Sequence, residues 1–272
     1  MQHTDSTPAV EPVSSQASKS ELTAAAGRSL SQWFDRSLGR HVIDLERQHL
    51  ARVLPNLFGY HVVQIGHAGA GDLLDSSCIQ HKVFVHLDEG AAHEAGTTLI
   101  CSAESLPLAA DSLDVLVLPH VLEFSPNPHR VLREAERVLI GEGHLVLIGF
   151  NPWSLWGLWR LFLCWRDEPP WCGHFYGLSR IRDWLSLLDL ELVRTERFSY
   201  RPPLRNVGQM GRLEHLERLG RHLWPWLGGV YLLVAKKRVI PLTALRVRWR
   251  ARRSMIAAGM AEPSTREPAS TA

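Results

Sequence analysis

Residues 106–152, LPLAADSLDVLVLPHVLEFSPNPHRVLREAERVLIGEGHLVLIGFNP, read as strand, polar loop, amphipathic helix, glycine turn and strand. The first strand, residues 114–118, is an apolar run led by Asp114 and closed by Pro119. That is the pattern of a parallel strand covered on both faces, whose C-terminal end opens on a ligand crevice. Asn127 stands where a helix N-cap is expected, and Pro128 occupies the first helical position, where a missing N–H costs nothing. Val131, Leu132, Ala135, Val138 and Leu139 share one apolar stripe. Gly141 and Gly143 are expected to stop the helix, and residues 145–148 to form the next buried strand. This alternation is half of a doubly wound unit, so the predicted class is α/β with a Rossmann-like, mostly parallel sheet.

The same stretch resembles the class I S-adenosylmethionine-dependent methyltransferases of type 11. Leu106-Pro107, Asp111-Ser112, Asp114-Val115, His120-Val121-Leu122-Glu123, Arg133-Glu134 and Arg137-Val138-Leu139 follow one another in that family's order and spacing. The resemblance covers roughly residues 60–200. It is nearest to an uncharacterised bacterial branch that continues as Gly-Phe-Asn-Pro-Trp-Ser-Leu-Trp-Gly, here residues 149–157. It implies an antiparallel last strand, S-adenosylmethionine as cofactor, and methyl transfer to a small or amphipathic acceptor.

Upstream, residues 61–65 form the expected first strand, and Gln64-Ile65-Gly66-His67-Ala68-Gly69-Ala70-Gly71 the turn after it. The spacing is neither the dinucleotide G-x-G-x-x-G nor a P-loop, so nicotinamide and nucleoside triphosphate chemistry are disfavoured. A cofactor without phosphate needs only a small-residue turn that its backbone can approach. Against the family's Asp-x-Gly-x-Gly-x-Gly, the chain has Gln64, Gly66, Ala68 and Ala70. The resemblance makes Gln64, Gly66, His67 and Ala68 cofactor residues, with an amide in place of a carboxylate, and charged hydrogen bonds are the stronger ones. The second strand, residues 82–87, ends at Asp88, about two dozen residues past Gln64, where this fold places an acid on ribose hydroxyls. After a short third strand at 99–101, Ser102, Ala103 and Glu104 stand where the family contacts adenine. Leu118, Pro119 and His120 stand where it approaches the sulfonium and the acceptor. His120 titrates near neutrality and is the candidate proton acceptor; the competing reading is a loop histidine bonded to backbone.

The chain of 272 residues suits one such domain with extensions. Its net charge of +2 is unevenly spread: residues 236–253 hold eight Lys or Arg and no acid, leaving the first 235 residues net acidic. That argues against a nucleic-acid footprint spread over the fold. Four cysteines without C-x-x-C spacing fit reduced thiols and a cytoplasmic home. No signal peptide, transmembrane run, zinc spacing or nucleophile elbow is seen, and no metal is expected.

Residues 1–26, poor in large apolar side chains, are expected to be disordered. The methyltransferase-like domain is placed at 27–238. It begins with a helical brace at 30–54, broken at Gly39, in which only His41 and Glu46 carry chemistry, and it contains a Trp-rich insertion at 151–176. There Trp153, Trp156 and Trp159 repeat every three residues and are expected to share a helix face. Asn151, Trp153 and Trp156 are the acceptor-binding candidates; packing on the core is the alternative. A helix capped by Ser179 over 178–190 and strands at 191–199 and 230–236 complete the domain. Residues 200–229 form a candidate cover over the site mouth. The basic tail, 239–272, is read as mostly disordered, with weak contact to a membrane surface or RNA as its functional alternative. Three other functions stay open: a degenerate binding or regulatory module, RNA methylation, and, least favoured, hydride transfer.

Overall fold

The structure, a computed structural model, describes residues 30–66, 73–87, 97–166, 168–203, 220 and 224–239. The readings made of residues 1–26 and 240–272, of His67, Ala68 and Asp88, and of most of the cover at 200–229 lie outside these residues.

Seven strands, β1 (His61–Ile65), β2 (His81–His86), β3 (Thr97–Ile100), β4 (Leu113–Pro119), β5 (Leu139–Phe150), β6 (Leu190–Phe198) and β7 (Val230–Lys237), form one sheet in the order β3-β2-β1-β4-β5-β7-β6. Strands β3, β2, β1, β4 and β5 are parallel, and β7 runs antiparallel to both β5 and β6. This is the α/β class expected, with its antiparallel last strand. The order reverses between β1 and β4, so the crevice of a doubly wound sheet falls beyond Ile65 and Pro119.

Both faces of the sheet are covered, which is why the strands read as unbroken apolar runs. Side chains alternate between two cores. Val62, Val115, Val117, Val146 and Ile148 meet the brace through Trp33, Val42, Leu50 and Val53. Val63, Ile65, Leu116, Leu118 and Leu147 meet the helix Pro128–Val138 through Val131, Leu132, Ala135 and Val138, and the helix Leu178–Ser186 through Ile181 and Leu185. We number the helices α1 (Ser37–Val53), α2 (the single turn Val121–Phe124), α3 (Pro128–Val138), α4 (Leu155–Leu163) and α5 (Leu178–Ser186).

The acids and arginines of the organising stretch hold its loops. The Asp114 carboxylate accepts from the N–H groups of Tyr60 and His61, fixing the start of β1 against β4. Arg137 donates to the carbonyls of Leu106 and Leu108 and to Glu134, which accepts from Leu106 N–H, so α3 clamps the loop before β4. The hydrogen bonds from Arg137 hold the Glu134 carboxyl below its ordinary range despite partial burial.

Several boundaries differ from expectation. The brace bends at residues 35–36, and Gly39 serves as a crossing point: a Cβ there would lie 2.4 Å from the Trp33 carbonyl oxygen. Gly141 and Gly143 do not form a turn outside the sheet. Leu139 enters β5 directly from α3, and the extra residues are absorbed where the β4–β5 register shifts between Leu113 and Val115, with Glu142 at φ 69°. The N-cap of α5 is Gly177 rather than Ser179, and the helix ends at Ser186. Trp153 precedes the Ser154 N-cap of α4, so it does not share a helix face with Trp156 and Trp159.

Candidate functional site

Gly66 follows β1 at φ 93°, a conformation suited to glycine, and its N–H donates to Val85 O. A Cβ at this position would lie 2.7 Å from Val121 Cγ2 and 3.4 Å from Pro119 O. The ends of β1 and β4 therefore approach as closely as a bare backbone allows. Two residues earlier, within β1, Gln64 is only 2% exposed, and its Oε1 is buried with no hydrogen-bond partner among the described residues. An orphaned acceptor at a sheet's ligand edge is costly unless something donates to it. The ammonium of S-adenosylmethionine has the right chemistry, and the glycine cradle admits a ligand against backbone, so the described residues fit the cofactor implied by the resemblance.

Leu118 and Pro119 are buried at the end of β4. On the β2 side, Ala103 is buried and Ser102 is exposed. Ser102 Oγ accepts from Glu104 N–H. The Glu104 carboxylate is already engaged, accepting from Asn127 Nδ2 and Ser125 Oγ. Asn127 does occupy the N-cap of α3, but its side chain bonds Glu104 instead of capping the helix. These bonds tie the loop after β3 to the loop after β4.

His120 begins the loop after β4 in the left-handed region, φ 53°, and is 1% exposed. Its Nε2 donates to Glu46 Oε1 at 2.8 Å, and its Nδ1 lies 3.4 Å from Glu123 Oε1. The ring rests on Phe150, with centroids 4.2 Å apart. Burial alone would lower the pKa of His120, but the charge of Glu46 and the bonds to Glu123 and Glu46 outweigh it and push the pKa up to about 10. Both ring nitrogens thus face carboxylate oxygens, an arrangement that favours the imidazolium. Glu123 Oε1 also accepts from Phe150 N–H at 2.7 Å. Gly149 leaves room for this cluster, since a Cβ there would meet Glu123 Oε1 and the Tyr231 hydroxyl.

Glu46 is the residue that sequence reasoning did not connect to the site. A signal was present. Glu46 sits four residues from both Val42 and Leu50 on the buried stripe of α1, and is itself 1% exposed. A carboxylate in the middle of an apolar helix face requires a buried partner, and that partner is His120, 74 positions later.

The three acceptor candidates separate. Asn151 and Trp153 line one pocket of about 370 Å³ together with Arg197 and Trp226, beyond the ends of β5 and β6. Asn151 is buried; its Nδ2 donates to the carbonyls of Trp226 and Gly228, and its Oδ1 accepts from Trp153 N–H. Trp153 is 75% exposed. Trp156 is 1% exposed, stacked 5.5 Å from Phe150, with Nε1 donating to Arg201 O. It is a core residue that anchors α4. Trp159 lines a second cleft of about 590 Å³ with Trp33, Leu38 and Trp171. The four cysteines are free thiols, and burial pushes the pKa of Cys101 up to about 11.

A family model described as a methyltransferase domain matches residues 78–147, beginning after the glycine turn. The uncharacterized protein YafS of Escherichia coli strain K12 is 37% identical over 199 residues, which span 73% of this chain and 77% of YafS. Among solved structures, a SAM-dependent methyltransferase of Thermotoga maritima, described as a possible histamine N-methyltransferase, is similar with a TM-score of 0.58 at 20% identity, covering 76% of this chain and 93% of its own. An S-adenosylmethionine-dependent methyltransferase of Mesorhizobium loti is similar with a TM-score of 0.51 at 16% identity, covering 70% and 96%. At these identities the structural likeness is one of fold.

Proposed function

From the premise that the chain belongs to the type-11 class I methyltransferase family, we propose that it binds S-adenosylmethionine and transfers its methyl group to a small or amphipathic acceptor. The observation that carries this reading is the unpartnered Gln64 Oε1 beside the positive-φ Gly66, at the point where the strand order reverses. When bound, the cofactor supplies an electrophilic methyl on a sulfonium.

In this reading Gln64 accepts from the ammonium, and Gly66 lets the backbone approach. His67 and Ala68 are further cofactor contacts, Asp88 holds the ribose, and Ser102, Ala103 and Glu104 border the adenine. Leu118 and Pro119 wall the crevice near the sulfonium. His120 is a positioning residue rather than a base: its imidazolium fixes the turn that sets Val121 against Gly66. Asn151 shapes the acceptor pocket, Trp153 lends it an aromatic wall, and Trp156 supports both from the core. With no general base required, rate acceleration comes from holding acceptor and methyl aligned.

Calorimetric titration of the purified chain with S-adenosylmethionine and its demethylated product tests the reading. Binding of both is expected, and Gly66→Arg abolishes it by filling the crevice. No heat up to millimolar ligand overturns the proposal. The uncharged Gln64 favours one second reading, a module that binds cofactor without turning it over. Heat of binding with no demethylated product formed in the presence of candidate acceptors would support that module.

A further inference from the structure

The pocket beyond the ends of β5 and β6 carries a charge that nothing in it balances. Arg197, half-buried near the end of β6, lines this space of about 370 Å³ with Asn151, Trp153, Ser179 and Trp226, and no acid stands among the lining residues. Among the described residues, no hydrogen bond or ion pair engages the Arg197 guanidinium. The acid next to it in the chain is already taken, since Glu196 pairs with Arg194 and His49. A guanidinium drawn partly out of water without a counter-ion forgoes its strongest bonds, and its planar fork matches carboxylate and phosphate oxygens. The walls around it are held in place. Asn151 Nδ2 donates to the carbonyls of Trp226 and Gly228, Asn151 Oδ1 accepts from Trp153 N–H, and the Tyr200 hydroxyl donates to Pro225 O. Trp153 and Trp226 are 75% and 61% exposed, so their rings stand open to a ligand.

We propose that this pocket binds the anionic end of the acceptor, a carboxylate or phosphate on a flat or chain-like apolar body, with Arg197 on the oxyanion and the two indoles against the body. The inference rests on the reading of this pocket as the acceptor's, and it names the acceptor's class. The volume falls in the range of small-molecule sites, which pair apolar walls with a few polar groups that fix orientation. Here the Asn151 amide is spent on the walls, so the polar end is left to Arg197 and the Ser179 hydroxyl. Charge chooses the occupant. A cationic acceptor would be repelled, and a neutral one would leave the guanidinium unpaired, whereas an oxyanion satisfies it. The strand order adds a length. From β4 the order runs through β5 and β7 to β6, so Arg197 stands three strand spacings from β4, about 14 Å. An acceptor anchored there and reaching toward Pro119 is therefore elongated, with the anion at one end and the atom to be methylated at the other.

Calorimetric titration of the full chain with 2-naphthoate and 2-naphthyl phosphate, against the uncharged 2-naphthamide, provides the test. At least one of the anions is expected to bind about tenfold more tightly than the amide. Whichever anion binds the tighter identifies carboxylate or phosphate as the end recognised. Arg197→Gln removes the preference, and Arg197→Lys, which keeps the charge but loses the fork, retains part of it. Trp153→Ala weakens all three probes alike. Since no described residue bonds the Arg197 guanidinium, thermal denaturation of Arg197→Gln matches that of the parent. Equal binding of anions and amide, or no binding of any probe, overturns the proposal. So does a preference that persists in Arg197→Gln, which would place the anion elsewhere. Titration of the same preparations with S-adenosylmethionine separates the two readings. A chain that binds the cofactor without preferring the anions loses this inference alone. One that prefers the anions without binding the cofactor loses methyl transfer and keeps the anion site.

Discussion

Two regions at the same edge of the sheet break the rule of apolar inside and polar outside, and they break it in opposite senses. Around the ends of β1 and β4, Gln64, His120, Glu46 and Glu123 are all less than 5% exposed. A short distance along the chain, α4 and its approach hold large apolar side chains in water. Burying polar groups costs free energy unless each finds a partner, and exposing apolar ones forgoes the gain of burial. Fold stability alone would have selected neither. The first region accepts its cost to fix a loop in one geometry, the second to keep a surface available. The contrast implies that substitutions in the first region act mainly on stability and ligand geometry, and those on the second mainly on binding.

The sharpest way to break this contrast is to remove a buried anchor from each region. His120→Ala leaves Glu46 and Glu123 in the core without their cation, and breaking such a buried pair costs about 3–5 kcal/mol. Trp156→Ala deletes a fully buried ring and the donor to Arg201 O, with an expected loss of about 3–5 kcal/mol. Urea denaturation measures both. The His120 cluster also has a pH signature. Its folded pKa, about 10, lies above the ordinary 6.5. The stabilisation is therefore fully present below pH 6.5 and is lost as pH rises through about 10. His120→Gln should flatten the stability profile over that window, and a parent profile without this decline would show that the imidazolium is not held as described.

Substitution of Gly66 comes next in size. Gly66→Ala must adopt φ 93° and place a methyl 2.7 Å from Val121 Cγ2, at an expected cost of about 1–3 kcal/mol. Pairing it with Val121→Ala removes the clash but not the backbone strain, so partial recovery of stability is expected. Cofactor affinity, read by calorimetry, should fall in the single variant and recover in part in the double. Full recovery would mean that the conformation at Gly66 carries no strain.

What the sequence could show follows the same division. Strands β1, β4 and β5 and helix α3 were readable because apolar periodicity and capping residues are local properties of the chain, and the first strand was placed at its observed bounds. The glycines of β5 misled because glycine marks a bulge inside a strand as readily as a helix stop. The tryptophan spacing misled because the helix begins only after Ser154, which takes Trp153 out of register. Candidate site residues could be named as loop positions, but the partner of His120 could not, since Glu46 and His120 lie 74 residues apart and are joined only by the packing of α1 on the sheet. A single acid on an apolar helix stripe says that a partner exists; it does not say where.

The smallest effects on stability test the comparison most finely, because neighbouring residues in one pocket are expected to respond differently. Asn151→Ala removes three hydrogen bonds, two of them to the carbonyls of Trp226 and Gly228, and leaves those groups unsatisfied, for a loss of about 1–3 kcal/mol. Trp153→Ala removes a ring that is 75% exposed while its backbone N–H stays bonded to Asn151, so stability should change by less than about 0.5 kcal/mol. If Trp153 serves the acceptor, its loss raises the acceptor KM with cofactor affinity unchanged, whereas a structural role would move neither constant and only the melting temperature. A Trp153→Ala protein that unfolds as readily as Asn151→Ala would place the ring with Trp156 among the anchors and erase the distinction between buried support and exposed surface on which the reading of this edge depends.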